Sequence, residues 1–194
     1  MRLDHIAYRV SDRHLTSRLF QSMFGYTIGT EFDIVFDNGS KADCIAMVPP
    51  EKNNGLKEVV TIPWSINSPG IKSPIVYHMA PEVFISDGEA GSIVGEWVAS
   101  RDGQGGIHHL AYQVEDIDGL VSKWASQGIG FLTDSVIDCP DDELRQIFTK
   151  PLHDLGGVIV ELIERGDQGF CQKSVKNLMN STKGLWYVES TKLY

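Results

Sequence analysis

Three side chains in this sequence have types and positions suited to holding a divalent cation: His5, His109 and Glu161. The two histidines occupy matching places in related segments. Residues 3–12 read LDHIAYRVSD and residues 107–116 read IHHLAYQVED, sharing His, Ala, Tyr, Val and Asp at the same offsets. The offset is 109 − 5 = 104 residues. Alternate side chains of a strand share a face. His5, Ala7 and Arg9 therefore oppose Ile6, Tyr8 and Val10, and His109, Ala111 and Gln113 oppose Leu110, Tyr112 and Val114. The same parity turns His108 away from His109, which leaves His109 as the ligand candidate. In VIVELIER, residues 158–165, Glu161 shares its face with Ile159 and Ile163. A carboxylate between isoleucines is costly to bury alone; it wants a cation, a proton or an arginine. Two imidazoles and one carboxylate on one side of an ion leave three positions open. That set suits non-haem Fe(II), and also Zn, Mn or Co.

The elements that must position these groups repeat as well. After each histidine segment comes a helical pattern. In the first it runs from His14 to Phe24, with Leu15, Leu19, Phe20 and Met23 on one face. In the second it runs from Ile117 to Gln127, with Leu120, Val121 and Trp124. Each stops at a glycine, Gly25 or Gly128, as expected of a C-cap. Three strand-like stretches follow in each half: YTIGTEFDIVF, ADCIAMV and LKEVVTIPWSI, then IGFLTDSVI, ELRQIFTKP and VIVELIER. The expected fold is α+β: two tandem βαβββ modules whose sheets form one shared open-barrel cup. Residues 1–66 are the first module, 67–106 a connecting insertion, 107–170 the second module, and 171–194 a C-terminal helix and tail. Within the insertion, GSIVGEWVAS fits a short helix or a strand.

Composition narrows the class. A chain of 194 residues with 42% apolar content is long enough for one globular core built from two small modules. A net charge of −9 argues against nucleic acid as a partner. The apolar runs fall short of the ~20 residues of a membrane span. The N-terminal residues show no export-signal pattern. Three cysteines without a C-x-x-C pair read as reduced thiols, so a cytoplasmic protein is expected.

The repeat and the His/His/Glu spacing resemble the vicinal oxygen chelate superfamily, with its glyoxalase/bleomycin-resistance-like fold. Within it, GGIHHLAYQVEDI, LRQIFTKPLHD, VELIER and DQGF are similar to the catalytic C-terminal half of the 4-hydroxyphenylpyruvate dioxygenase family. The resemblance covers about 100–178 well and 1–48 weakly. It implies that His5, His109 and Glu161 are iron ligands. It further implies that Gln146 orients substrate oxygens and that Asn67, Phe148 and Phe170 contact substrate. Departures from that family include His108 where glutamine is usual, Ile159 in place of an aromatic, and CQKSV after QGF. They imply a more polar or differently shaped substrate. Relatives such as glyoxalase I take a fourth ligand from the last strand of the first module. VVTIPWSI offers none, which favours three protein ligands, with Glu82, Glu89 and His78 as the candidates for a fourth from the insertion. The resulting expectation is a metal-dependent enzyme, a non-haem Fe(II) dioxygenase acting on a small chelating molecule such as a 2-oxoacid. The alternatives are a metal-dependent lyase or epimerase, and a non-catalytic binding protein. Besides the small molecule, the superfamily's habit suggests a homodimer as partner.

Overall fold

The aspartates that end the two repeats start the two long helices. Asp12 accepts from the Leu15 N–H and Asp116 from the Gly119 N–H, at 2.8 and 2.9 Å. Each satisfies an N–H that the first helical turn leaves open, which is worth about 1 kcal/mol. Gly25, at φ 74, closes the first helix in a left-handed conformation that costs glycine nothing. The computed structural model describes residues 1–50, 80–140, 143–166 and 172–183.

In the first half, strand β1 (Arg2–Arg9) leads to helix α1 (Arg13–Phe24), β2 (Thr27–Val35), β3 (Lys41–Val48), β4 (Glu82–Asp87) and α2 (Ile93–Ala99). In the second, β5 (Gly106–Gln113) leads to α3 (Ile117–Ser126), β6 (Ile137–Cys139), β7 (Leu144–Phe148), β8 (Ile159–Arg165) and α4 (Gln172–Ser181). Among the described residues the strands form one mixed sheet, ordered β2-β3-β4-β1-β5-β8-β7-β6. β1 pairs antiparallel with β5, and each also pairs in parallel with the last strand of its own module, β4 or β8. The modules therefore meet edge to edge about an approximate two-fold axis between β1 and β5. The α+β fold is a curled sheet forming a half-open barrel of tandem βαβββ modules.

Helices α1 and α3 cover the convex face. Phe20 packs with Tyr8, Tyr26, Met47 and Ile85, and Trp124 packs with Ile117, Ile147 and Leu162. The concave face meets α2 and α4. Trp97 and Met179 pack with Ala7, Phe36, Cys44 and Phe84, while Leu178 packs with Phe148 and Ile159. No helix among the described residues is long and apolar enough to cross a membrane.

Two sequence expectations change here, and one left open is decided. The strand of the first module that pairs with β1 is β4 at Glu82–Asp87, inside the stretch 67–106 read as a connecting insertion. VVTIPWSI and EVFISD are both strand-like, and only pairing with β1 and β3 selects the second; the first lies outside the described residues. GSIVGEWVAS is helical, with the Ser92 hydroxyl accepting from the Gly95 N–H. Finally, Leu15, Leu19 and Met23 do not face the core but are exposed, at 60, 49 and 66%. Phe20 and the small, buried Ser17 form the packed face of α1 instead.

Candidate metal centre

His5 on β1, His109 on β5 and Glu161 on β8 converge at the middle of the sheet, all buried. His5 Nε2 lies 3.3 Å from His109 Nε2 and 3.3 Å from Glu161 Oε2. His109 Nε2 lies 3.5 Å from the same carboxylate oxygen. Donors about 2.1 Å from one ion, at angles near 90–110°, sit about 3.0–3.4 Å apart. The three atoms therefore fit a single divalent ion from one side. Fe, Zn, Mn and Co all accept this donor set.

Two bulges build what stands behind the ligands. Ala7 pairs with His109 but Tyr8 with Ile107, so His108 is the extra residue. Leu3 pairs with Tyr112 but His5 with Ala111, so Asp4 is extra on the other strand. A bulge residue escapes strict alternation, and both turn inward beside the ligand that follows them. The Nδ1 of His5 donates to Asp4 Oδ1 at 2.8 Å. The Nδ1 atoms of His108 and His109 lie 2.9 Å apart. His108 is thus buried and inward, which corrects its parity assignment. Arg165 clamps Asp4 with two hydrogen bonds, at 2.7 and 3.0 Å. One strand, β8, supplies both a ligand and the clamp on the other ligand's support.

These supporting residues escaped the sequence reading, although one signal was there. In both copies the residue before the ligand histidine is polar, Asp4 and His108, at a position where alternation alone predicts the opposite face. Support of this kind fixes ring orientation, and its loss typically weakens metal affinity 10–100-fold. Asp4→Asn keeps the shape but removes the charge facing His5 and Arg165. We expect its metal affinity to fall by roughly 10–100-fold in a competition titration with a chelator. An unchanged affinity would show that Asp4 only packs.

The electrostatics separate the histidines. Burial pushes both imidazoles down. For His5, the Glu161 and Asp4 carboxylates outweigh burial and raise it to about 9. His109 stays well below its ordinary value, because burial is joined by the positive charges of His5 and Arg9. Burial pushes the Asp4 carboxyl up, but the hydrogen bonds from His5 and Arg165 prevail and hold it at about 2. In the metal-free protein, then, His5 carries a proton below pH 9 and His109 none. Binding must release that one proton. Apparent affinity for Zn should rise roughly tenfold per pH unit between 6 and 8, the slope for a single competing proton. Chelator competition at three pH values measures it, and a flat profile would mean that His5 binds no proton when empty of metal.

The other residues nominated from sequence are placed unevenly. Phe148 pairs with Glu161 across β7 and β8, and its ring lies edge-on to His109 at 5.9 Å between centroids. Gln146 is buried one step along the same face, opposite Ile163. Asn67 and Phe170 lie outside the described residues.

The two-fold relation also locates a corner of the site at which no described residue offers a donor. Glu161 pairs with Ala111, and Ala7 is the repeat equivalent of Ala111. Ala7 pairs with Phe84. The position in the first module that matches Glu161 is therefore a phenylalanine, 4% exposed. On the same face of β4, Glu82 lies opposite His5. Its carboxyl is half-buried and raised above its ordinary value by burial, against the opposing pull of Arg165.

Fold and site together define a two-module βαβββ protein with a divalent-metal donor set at the module junction. Residues 4–142 match the model of the Glyoxalase/Bleomycin resistance protein/Dioxygenase superfamily, and the chain belongs to it. By structure it is similar to a 4-hydroxymandelate synthase variant from Streptomyces coelicolor, with a TM-score of 0.69 and 20% identity. That match covers 93% of this chain but 54% of the synthase, so the chain spans about half its length. It is also similar to methylmalonyl-CoA epimerase from Mycobacterium tuberculosis, with a TM-score of 0.54 and 20% identity over 85% of this chain and 88% of that one. A further methylmalonyl-CoA epimerase gives a TM-score of 0.53 and 23% identity over 86% and 97%. Identities this low describe a shared fold, common to the synthase and the epimerases. No protein of curated function matches the sequence.

Proposed function

We propose that this chain is a metal-dependent enzyme whose substrate chelates the ion through two oxygens and undergoes proton transfer beside a carbonyl, as in a lyase or an epimerase. The observation that carries the reading is Glu82, a raised carboxyl on the cup face opposite His5 that is not part of the donor set. A divalent ion held by His5, His109 and Glu161 would supply Lewis acidity, polarising the carbonyl. Glu82 would accept the proton that this polarisation loosens. Gln146 would hydrogen-bond a substrate oxygen, and Phe84 and Phe148 would keep water from the reacting carbon. Asn67 and Phe170 keep the substrate-contact roles that the family resemblance implies. Zn, Mn or Co would serve this chemistry as well as Fe(II).

The second reading is the non-haem Fe(II) dioxygenase suggested by the sequence resemblance, acting on a 2-oxoacid. Phe84 favours it: with no donor among the described residues at the fourth corner, positions would stay open for both O₂ and a chelating substrate. A cytoplasmic location and a homodimer fit either reading; the exposed stripe of Leu15, Leu19 and Met23 is apolar surface that a second copy would cover.

Anaerobic incubation in D₂O with a panel of 2-oxo and 2-hydroxy acids separates the cases. Deuterium entering the carbon beside the carbonyl, without O₂, supports proton transfer. Substrate-dependent O₂ uptake without exchange supports the dioxygenase. Neither, across the panel, would side with a binding protein.

A further inference from the structure

Beside the metal ligands lies a second cluster of buried polar groups, built around Arg9. Arg9 ends β1 on the face of His5 and Ala7 and is 2% exposed. Gly105, at φ +71, packs against its carbonyl where a Cβ would collide. Its Nη2 donates to Thr182 Oγ1 at 3.3 Å, and its guanidinium lies 5.7 Å from the centre of the Trp97 ring. Its Nη1 meets no acceptor among the described residues. Among the described residues no carboxylate acts on its charge; the groups that do are the Cys44 thiol and a second cation, Arg101. Burial pushes the Cys44 thiol up to about 12, so it is no counter-ion at neutral pH. Burial and Arg101 lower Arg9 only to about 9, so its charge persists there.

His108 stands against the same indole, its ring edge-on to Trp97 at 5.5 Å. Its Nε2 is the other buried atom without a partner among the described residues. The tautomer at that nitrogen follows from the metal centre. If His109 offers Nε2 to the ion, its Nδ1 carries the proton and donates to His108 Nδ1, 2.9 Å away. The single proton of neutral His108 then sits on Nε2. Both unpartnered atoms are therefore donors, one of them on a full positive charge.

A buried cation without an acid among the described residues, joined by a second donor without an acceptor there, is the complement of a carboxylate. We propose that Arg9 Nη1 and His108 Nε2 form an anion subsite inside the cup that takes a carboxylate of the substrate at the end away from its chelating oxygens. The substrate is then a diacid, or a 2-oxoacid with a second acidic group. This assignment rests on the chelate reading above, because the His108 tautomer depends on the metal at His109.

The test compares matched pairs in which a methyl replaces the distal carboxylate: 2-oxoglutarate with 2-oxopentanoate, and 2-oxoadipate with 2-oxohexanoate. Calorimetric Kd values are taken for the Zn-loaded and metal-free proteins, as wild type, Arg9→Met and Arg9→Lys, with metal content measured for each. We expect the diacid of at least one pair to bind at least tenfold tighter in wild type. Arg9→Met should abolish that preference and leave the monoacid Kd unchanged; Arg9→Lys should retain part of it. Without ligand, Arg9→Met should melt no lower than wild type, since it removes an uncompensated buried charge. Equal affinity within both pairs in wild type overturns the subsite, as does a preference that survives Arg9→Met. Kd values that do not weaken when the metal is removed, with the diacid preference intact, keep the subsite on Arg9 alone and sink the chelate reading instead.

Discussion

Glu161→Ala is expected to leave the purified protein without metal, where the wild type holds about one ion per chain. Glu161 is the only anion in the donor set, and its Oε2 is the atom that both imidazoles approach, at 3.3 and 3.5 Å. What remains is two neutral donors with no charge facing the ion. Losing a supporting residue costs 10–100-fold in affinity, so losing the charged ligand itself should cost on the order of 10³-fold or more. The fold should survive. Ile159 and Ile163 flank the position on its own face, and the pairing of β8 with β5 and β7 uses backbone atoms. Elemental analysis after dialysis reads the metal, and circular dichroism reads the fold. A folded variant that keeps one ion per chain would move the centre elsewhere and remove the basis of the proposed function.

The His/His/Glu cluster was legible in the sequence because two periodicities coincide. A 104-residue repeat matched His5 to His109, and strand alternation placed each beside an alanine, Ala7 or Ala111, on the face away from Tyr8 or Tyr112, and Glu161 between isoleucines. What stayed illegible depends on pairing. A bulge is a property of two strands, so nothing within IHHLAYQ reveals that His108 is an extra residue turned inward. β4 could not be told from VVTIPWSI, because an apolar β-rich run does not state which neighbour it hydrogen-bonds. The helical period of α1 found an apolar stripe at Leu15, Leu19 and Met23 but not what covers it; among the described residues, nothing does so fully.

The pairing also shows how the two halves have parted. Matched through the repeat, Glu161, Phe148 and Gln146 in the second module correspond to Phe84, Ala46 and Cys44 in the first. The first half of the cup is packed with apolar side chains against α2 and α4. Among the described residues its buried or half-buried polar side chains on this face, besides His5, include Glu82, Arg9 and Ser86. A polar group kept within an apolar wall costs stability unless a ligand or a reaction uses it. That makes Glu82 the residue on which the two chemical readings divide.

Glu82→Gln should slow metal-dependent proton exchange by about 10²–10⁴-fold, the usual contribution of a positioned base. The ion should stay, because Glu82 is outside the donor set, and Asp4 and Arg165, two of the charges that act on it, hold one another. Glutamine keeps the size and removes only the capacity to accept the proton, so a loss of rate at unchanged metal content isolates that role. Burial raises the Glu82 carboxyl, so its basic form is lost at a higher pH than for an exposed glutamate. The exchange rate of the wild type should therefore fall on the acid side with a midpoint above the ordinary glutamate value, and Glu82→Gln should lack that limb. The opposite outcome is equally informative. If the variant keeps substrate-dependent O₂ uptake at the wild-type rate and the wild type shows no exchange, Glu82 only lines the cup. The open corner at Phe84 would then become the feature that defines the chemistry, and the dioxygenase reading would stand.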